Sequence, residues 1–139
     1  MSRFRKIALA VLVVGFSGVL VLAGGTFYML HAEVKRICVE AGNRFEGDCV
    51  ESLIATVKAE ELPFKTRNEA IWALGQLADA KALPYLTEIQ PKTFCQKPCG
   101  NKYLCRYELD KAVKWCTQGN LTRWMYAHRE DWLEEGRKG

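Results

Sequence analysis

RNEAIWALGQLADAKALPYL, residues 67–86, decides how this chain folds. Ala70, Leu74 and Leu77 recur at helical spacing with Ile71 beside them, which makes one apolar stripe. Thr66 stands where a helix N-cap would, and Glu69 three residues later completes a capping-box pattern, so a helix is predicted over Arg67–Leu77. Asp79 is placed to cap a second helix in which Leu83, Leu86 and Ile89 repeat the stripe. Pro84 falls in the first turn of that helix, where a missing N–H costs least. With only Ala78 and Asp79 between them, the two helices are expected to fold back as a tight antiparallel pair. Such a pair leaves apolar surface for a neighbour to cover.

The neighbours are found on both sides. Upstream, Asp48 can cap a helix to about Glu60 with Cys49, Leu53 and Val57 spaced four apart, and Pro63 breaks the chain after it. Glu33–Ala41 reads as a shorter helix ended by Gly42 and Asn43. Downstream, Lys102–Gln118 carries Cys105, Leu109, Ala112 and Cys116 on one face, and Leu121–Glu135 aligns Leu121, Trp124, His128 and Trp132. No segment from Glu33 onward alternates apolar and polar residues as a strand does, so the expected fold class is all-α, with three stacked helix pairs.

AIWALGQLADAKALPYL resembles the HEAT-like repeat in its bacterial form: two helices, a short turn ending in an acidic cap, and a proline early in the second helix. Ala78 stands where that pattern often has glycine. More widely, Cys38 to Asn120 is similar to small, membrane-anchored, cysteine-containing HEAT-repeat proteins of bacteria, on the pair Cys38 and Cys49, on AIWALGQL and on LCRYELDKAVKWC. The resemblance implies a short right-handed stack of antiparallel helix pairs, a HEAT-like α-α superhelix, in the bacterial periplasm. It carries over no catalytic residue.

Before this domain, Ile7–Leu30 runs 24 residues without a charge, more than the ~20 needed to cross a hydrocarbon core. A signal peptide is the competing reading, because Arg3, Arg5 and Lys6 make a basic start and Val21–Ala23 resembles a cleavage site. The run exceeds the roughly 7 to 15 residues of a signal h-region and continues past that site, which favours an uncleaved anchor. The three leading basic residues keep their end cytoplasmic, so residues 1–6 are expected inside, 7–30 across the bilayer and 31–139 exported. Ala10, Ser17 and Gly24 recur every seven residues, with Ala8 and Gly15, and Gly18 and Gly25, in the same step. Small residues permit close helix approach in lipid, although chance recurrence is the simpler account.

Apart from those leading residues the chain is nearly neutral, with 17 basic against 16 acidic side chains, which gives no clustered footprint for nucleic acid. The six cysteines, Cys38, Cys49, Cys95, Cys99, Cys105 and Cys116, all follow the apolar run and read first as disulfides in an oxidising compartment. Cys38 and Cys49 flank a helix-helix turn, so their bridge is the most economical. Cys105 and Cys116 lie ~16 Å apart along one helix and cannot pair with each other. Cys95 to Cys116 with Cys99 to Cys105, or the exchanged pairing, both stay open. A four-thiolate metal site is the rival reading of CQKPCGNKYLC, but the C-x2-C pairs of zinc knuckles are missing, and so is the C-x-x-C of thiol exchange.

Neither His31 nor His128 stands at a recognisable catalytic spacing, and no cofactor or small-molecule substrate is implied. Trp115, Trp124, Tyr126 and Trp132 are the candidate partner-binding residues, because Trp and Tyr are enriched at binding hot spots. Trp124 and Trp132 are expected to pack the last helix and Tyr126 to point outward. The function expected is a non-enzymatic, membrane-anchored periplasmic scaffold or accessory subunit that binds a protein partner within a membrane complex. The alternative is a periplasmic thiol/disulfide or metal-binding factor.

Overall fold

The computed structural model describes residues 3–93 and 100–138. Among them the chain forms six α-helices and three short 3-10 turns and no strand, so the protein is all-α as expected. It divides into two compact units, one ending at Glu33 and one beginning at Val34.

The first unit is part of one helix, α1 (Arg3–Arg44), 42 residues long. The sequence suggested a membrane segment followed by a separate helix; residues 26–41 contain neither glycine nor proline, and nothing interrupts the backbone ladder. The apolar side chains of residues 7–29 are exposed, and α1 is long and apolar enough to cross a membrane. Within it, the Thr26 hydroxyl donates to the Leu22 carbonyl at 2.9 Å, so that polar group is satisfied inside its own helix.

The second unit is built around α3 (Phe64–Leu77), which lies between α2 (Cys49–Lys58) and α5 (Arg106–Gln118). Ala70, Ile71, Ala73, Leu74 and Leu77 of α3 are each 0% exposed. Val50, Leu53 and Val57 of α2 and Leu109, Ala112 and Cys116 of α5 close over them. The approach of α5 depends on Gly75, where a Cβ would stand 3.0 Å from the Ala112 Cα and 3.2 Å from the Trp115 ring.

The helix ends show which local signals the chain uses. Asp48 caps α2 as expected, and with Glu51 it forms a full capping box: the Glu51 N–H donates to Asp48 Oδ1 at 2.9 Å, and the Asp48 N–H to Glu51 Oε2 at 2.9 Å. Thr66 does not cap α3. The helix begins at Phe64, directly after Pro63, whose φ of −55° already suits the helix start, and Thr66 lies within it. At the other end Ala78 takes the left-handed conformation (φ 49°, ψ 42°), the place where glycine is favoured. Asp79 then accepts the Lys81 N–H at 2.9 Å as expected, but the turn it caps is the 3-10 segment Ala80–Ala82.

That inserted turn changes the expected hairpin. The second helix, α4 (Leu83–Ile89), is only seven residues long and lies chiefly against α5 rather than α3. Arg106 at the start of α5 holds it there by donating to the carbonyls of Gln90 and Thr93 at 2.8 and 3.0 Å. Where one helix was expected over Leu121–Glu135, the chain forms a 3-10 turn at Arg123–Tyr126 and a separate helix, α6 (Glu130–Lys138). Successive i→i+3 bonds, from Arg123 to Asn120, Met125 to Thr122 and Arg129 to Tyr126, set that tighter geometry. The α6 helix returns to the Val34–Arg44 end of α1, where Gly42 faces Leu133 and Gly136 faces Val39 without room for a Cβ.

Candidate functional site

Three groups of side chains carry whatever chemistry the second unit has: the sulfurs, the polar clamps and the aromatic residues. Cys38 on α1 and Cys49 on α2 form a disulfide, with Cα atoms 5.2 Å apart, so the first two helices of the unit are cross-linked. It is the one disulfide among the described residues. Cys95 and Cys99 lie outside the described residues, and the pairing expected of them lies there too. Cys116 is a buried thiol whose Sγ stands 3.6 Å from the Leu74 carbonyl oxygen. Burial, reinforced by the nearby Asp79 carboxylate, pushes it up to about 11. It is protonated at neutral pH and a poor nucleophile there, the opposite of an exchange-active thiol.

Asn68 on α3 holds the chain where it enters α5. Its amide donates to the Tyr103 carbonyl at 2.9 Å, and its carbonyl accepts the Cys105 N–H at 2.8 Å. Arg67 beside it is also buried and donates to the Val57 carbonyl at 2.8 Å, joining α3 to the end of α2. Gln76 accepts hydrogen bonds from the Asn120 amide and the Thr122 hydroxyl, each at 3.4 Å. Arg129 forms an ion pair with Asp79. One polar residue at the end of α3 and one in the turn after it therefore tie down the C-terminal segment.

On the surface, Lys81 reaches the capping box of α2, 2.6 Å from Asp48 Oδ2 and 2.7 Å from Glu51 Oε1. Burial pushes Asp48 up, but the bonds from Lys81 and the Glu51 N–H outweigh it and hold the carboxyl below its ordinary value; the bond from Lys81 does the same for Glu51. Both groups bind fewer protons folded than unfolded. The clamp is complete at neutral pH and is released as pH falls through the depressed carboxylate range.

The aromatic residues are placed differently from expectation. Tyr126, expected outward, is the largest of the fully buried side chains, and its phenol is pushed up by that burial. Trp132 is 5% exposed and meets the Tyr126 ring edge to face, with centroids 6.2 Å apart. Trp115 is half-buried against Gly75, and the Lys111 ammonium lies 4.9 Å from its centroid. Trp124, expected to pack with Trp132, is 72% exposed, and Leu121 is 93% exposed. Trp124 and Tyr126 lie where the expected continuous helix is replaced by the 3-10 turn Arg123–Tyr126, and there residue 126 rather than 124 faces the core. Of the four candidates Trp124 is the one that is largely exposed.

Sequence reading passed over Phe64, Tyr103 and Tyr107, which are exposed on the same unit. Phe64 and Tyr103 approach to 6.2 Å between centroids, and Lys111 lies 5.1 Å over Tyr107. Part of the signal was present: Tyr107 and Lys111 are four apart within α5, on a different face from Leu109 and Cys116, whereas Tyr103 precedes that helix. His128 is exposed, and among the described residues no three His, Cys, Asp or Glu side chains converge as a metal site. Comparison with protein-family models, with curated proteins and with solved structures returns no match.

Proposed function

We propose that this protein is a single-pass membrane protein whose helical domain serves as a binding scaffold or accessory subunit for a membrane complex. In this reading residues 7–30 cross the bacterial inner membrane, residues 1–6 are cytoplasmic, and residues 31–139 stand in the periplasm as a HEAT-like, right-handed stack braced by sulfur.

One observation carries the reading: a 24-residue uncharged stretch, its apolar side chains exposed over residues 7–29, belongs to the same helix as Cys38, which is bound in a disulfide. An apolar stretch of that length in water would be a strong aggregation liability, and lipid relieves it. The disulfide suits an oxidising compartment. Phe27 and Tyr28, exposed near the end of the run, are residues that settle at a membrane-water boundary. A rigid domain with exposed aromatic side chains suits recognition by surface complementarity, and a protonated, buried Cys116 argues against thiol exchange at that position.

The test is photo-crosslinking in intact cells from Tyr103 and Tyr107, followed by mass spectrometry. We expect a reproducible adduct with one membrane-associated protein from these positions and not from Arg44, an exposed residue at the end of α1. Equal, diffuse labelling from all three positions would contradict the proposal.

A further inference from the structure

We propose that α6 is a detachable lid, which undocks from the end of α1 and loses its helix in one step while α2, α3 and α5 stay folded. The device lies within the second unit and stands independently of the function proposed above.

A helix of nine residues is marginal alone, because isolated helices shorter than about 12–15 residues scarcely form in water. Docking is therefore what keeps α6 helical. Of its side chains from Glu130 to Glu135, only Trp132 and Leu133 are buried. Trp132 meets Tyr126, Leu133 fills the space over Gly42, and Gly136 lets Val39 approach, since a Cβ there would stand 2.7 Å from Val39 Cγ1. Two ion pairs add to these contacts: Glu135 with Lys35 of α1, and Arg129, just before α6, with Asp79 after α3. All four charged side chains reach solvent, so salt screens both pairs.

The body beneath is closed in another way. Leu74 and Leu77 of α3 and Leu109 of α5 are 0% exposed and lie among apolar neighbours. Tyr126, also 0% exposed, belongs to that body and forms the floor on which the lid closes, and residues 127–129, outside any helix, are the hinge. Undocking bares the Tyr126 ring together with Val39 and Gly42 on α1. Helix and contacts are lost together, so the lid is open or shut rather than graded, and ionic strength shifts the balance between the two.

The test is hydrogen exchange of the full chain in detergent, read by mass spectrometry on peptides from α3, α5 and α6. We expect the α6 amides to exchange before those of α3, at a rate that added sodium chloride raises. Arg129→Gln combined with Glu135→Gln should raise it about 2- to 10-fold, with α3 and α5 unchanged. Gly136→Ala decides the mechanism by its sign. Alanine favours a helix that stands alone and would slow exchange there, but a Cβ against the stiff, β-branched Val39 disfavours docking, so we expect faster exchange. Slower exchange of α6 in Gly136→Ala overturns the proposal. So does exchange of α6 at the rate of α3, which would mean that no separate opening exists, and so does faster exchange of α3 and α5 in either variant, which would make α6 part of the body.

Discussion

α3 and the Ile7–Leu30 part of α1 are both helical and both rich in apolar and small residues, yet they meet their surroundings in different ways. The apolar stripe of α3 is sealed by α2 and α5, whereas the apolar side chains of residues 7–29 are exposed. Polar residues mark the difference more sharply than apolar ones do. Arg67, Asn68 and Gln76 are buried on α3 and each has a named partner, while residues 7–30 contain no charge at all. Glycine separates them again: a Cβ at Gly75 would stand 3.0 Å from the Ala112 Cα of α5, closer than ordinary contact, but a Cβ at Gly15, Gly18, Gly24 or Gly25 would meet nothing within 4 Å. A helix that must fit other helices is specified position by position. One long and apolar enough to cross a membrane is specified by length and by the exclusion of charge.

This contrast can be broken by substitution. Leu74→Ala removes a side chain that is 0% exposed at the centre of the unit and should cost about 2–5 kcal/mol, measured by denaturant unfolding of the full chain in detergent. Leu20→Ala, in the exposed run, should leave that transition within about 0.5 kcal/mol. Similar costs at both positions would mean that the apolar run packs as core.

Replacing Cys38 and Cys49 together with serine should cost about 2–4 kcal/mol, since the bridge closes a short loop between the end of α1 and α2. The same loss should appear when the parent is unfolded with a reductant present. Gly75→Ala should cost about 1–3 kcal/mol, because the Cβ would press on the backbone of α5, and Gly18→Ala should cost nothing measurable in the same assay. The smallest effect has the opposite sign. Ala78→Gly should stabilise by up to about 1 kcal/mol, the left-handed strain relieved being offset in part by the freer unfolded chain.

The same division marks what could be read in advance. The extent of α2, the apolar stripe of α3, the caps Asp48 and Asp79 and the Cys38–Cys49 bridge all follow from signals within a few residues of sequence. Pro63 displaced Thr66 as the start of α3, a contest between two local signals that periodicity cannot judge. The C-terminal segment was misread for a different reason. Gln76 holds Asn120 and Thr122 from 44 and 46 residues away, and Asp79 holds Arg129 from 50 away. These long-range polar contacts accompany a local 3-10 geometry that exchanges the burial of Trp124 and Tyr126. The candidate site was therefore legible in its residue types and not in which of them face solvent.

The most direct measurement is the intact mass of the chain taken from membranes and alkylated under denaturing, non-reducing conditions. The account requires a species that retains the apolar run and carries no alkyl group on Cys38 or Cys49, with those two residues recovered as one linked peptide. A species lacking the residues before Gly24, or one alkylated at both Cys38 and Cys49, would contradict it.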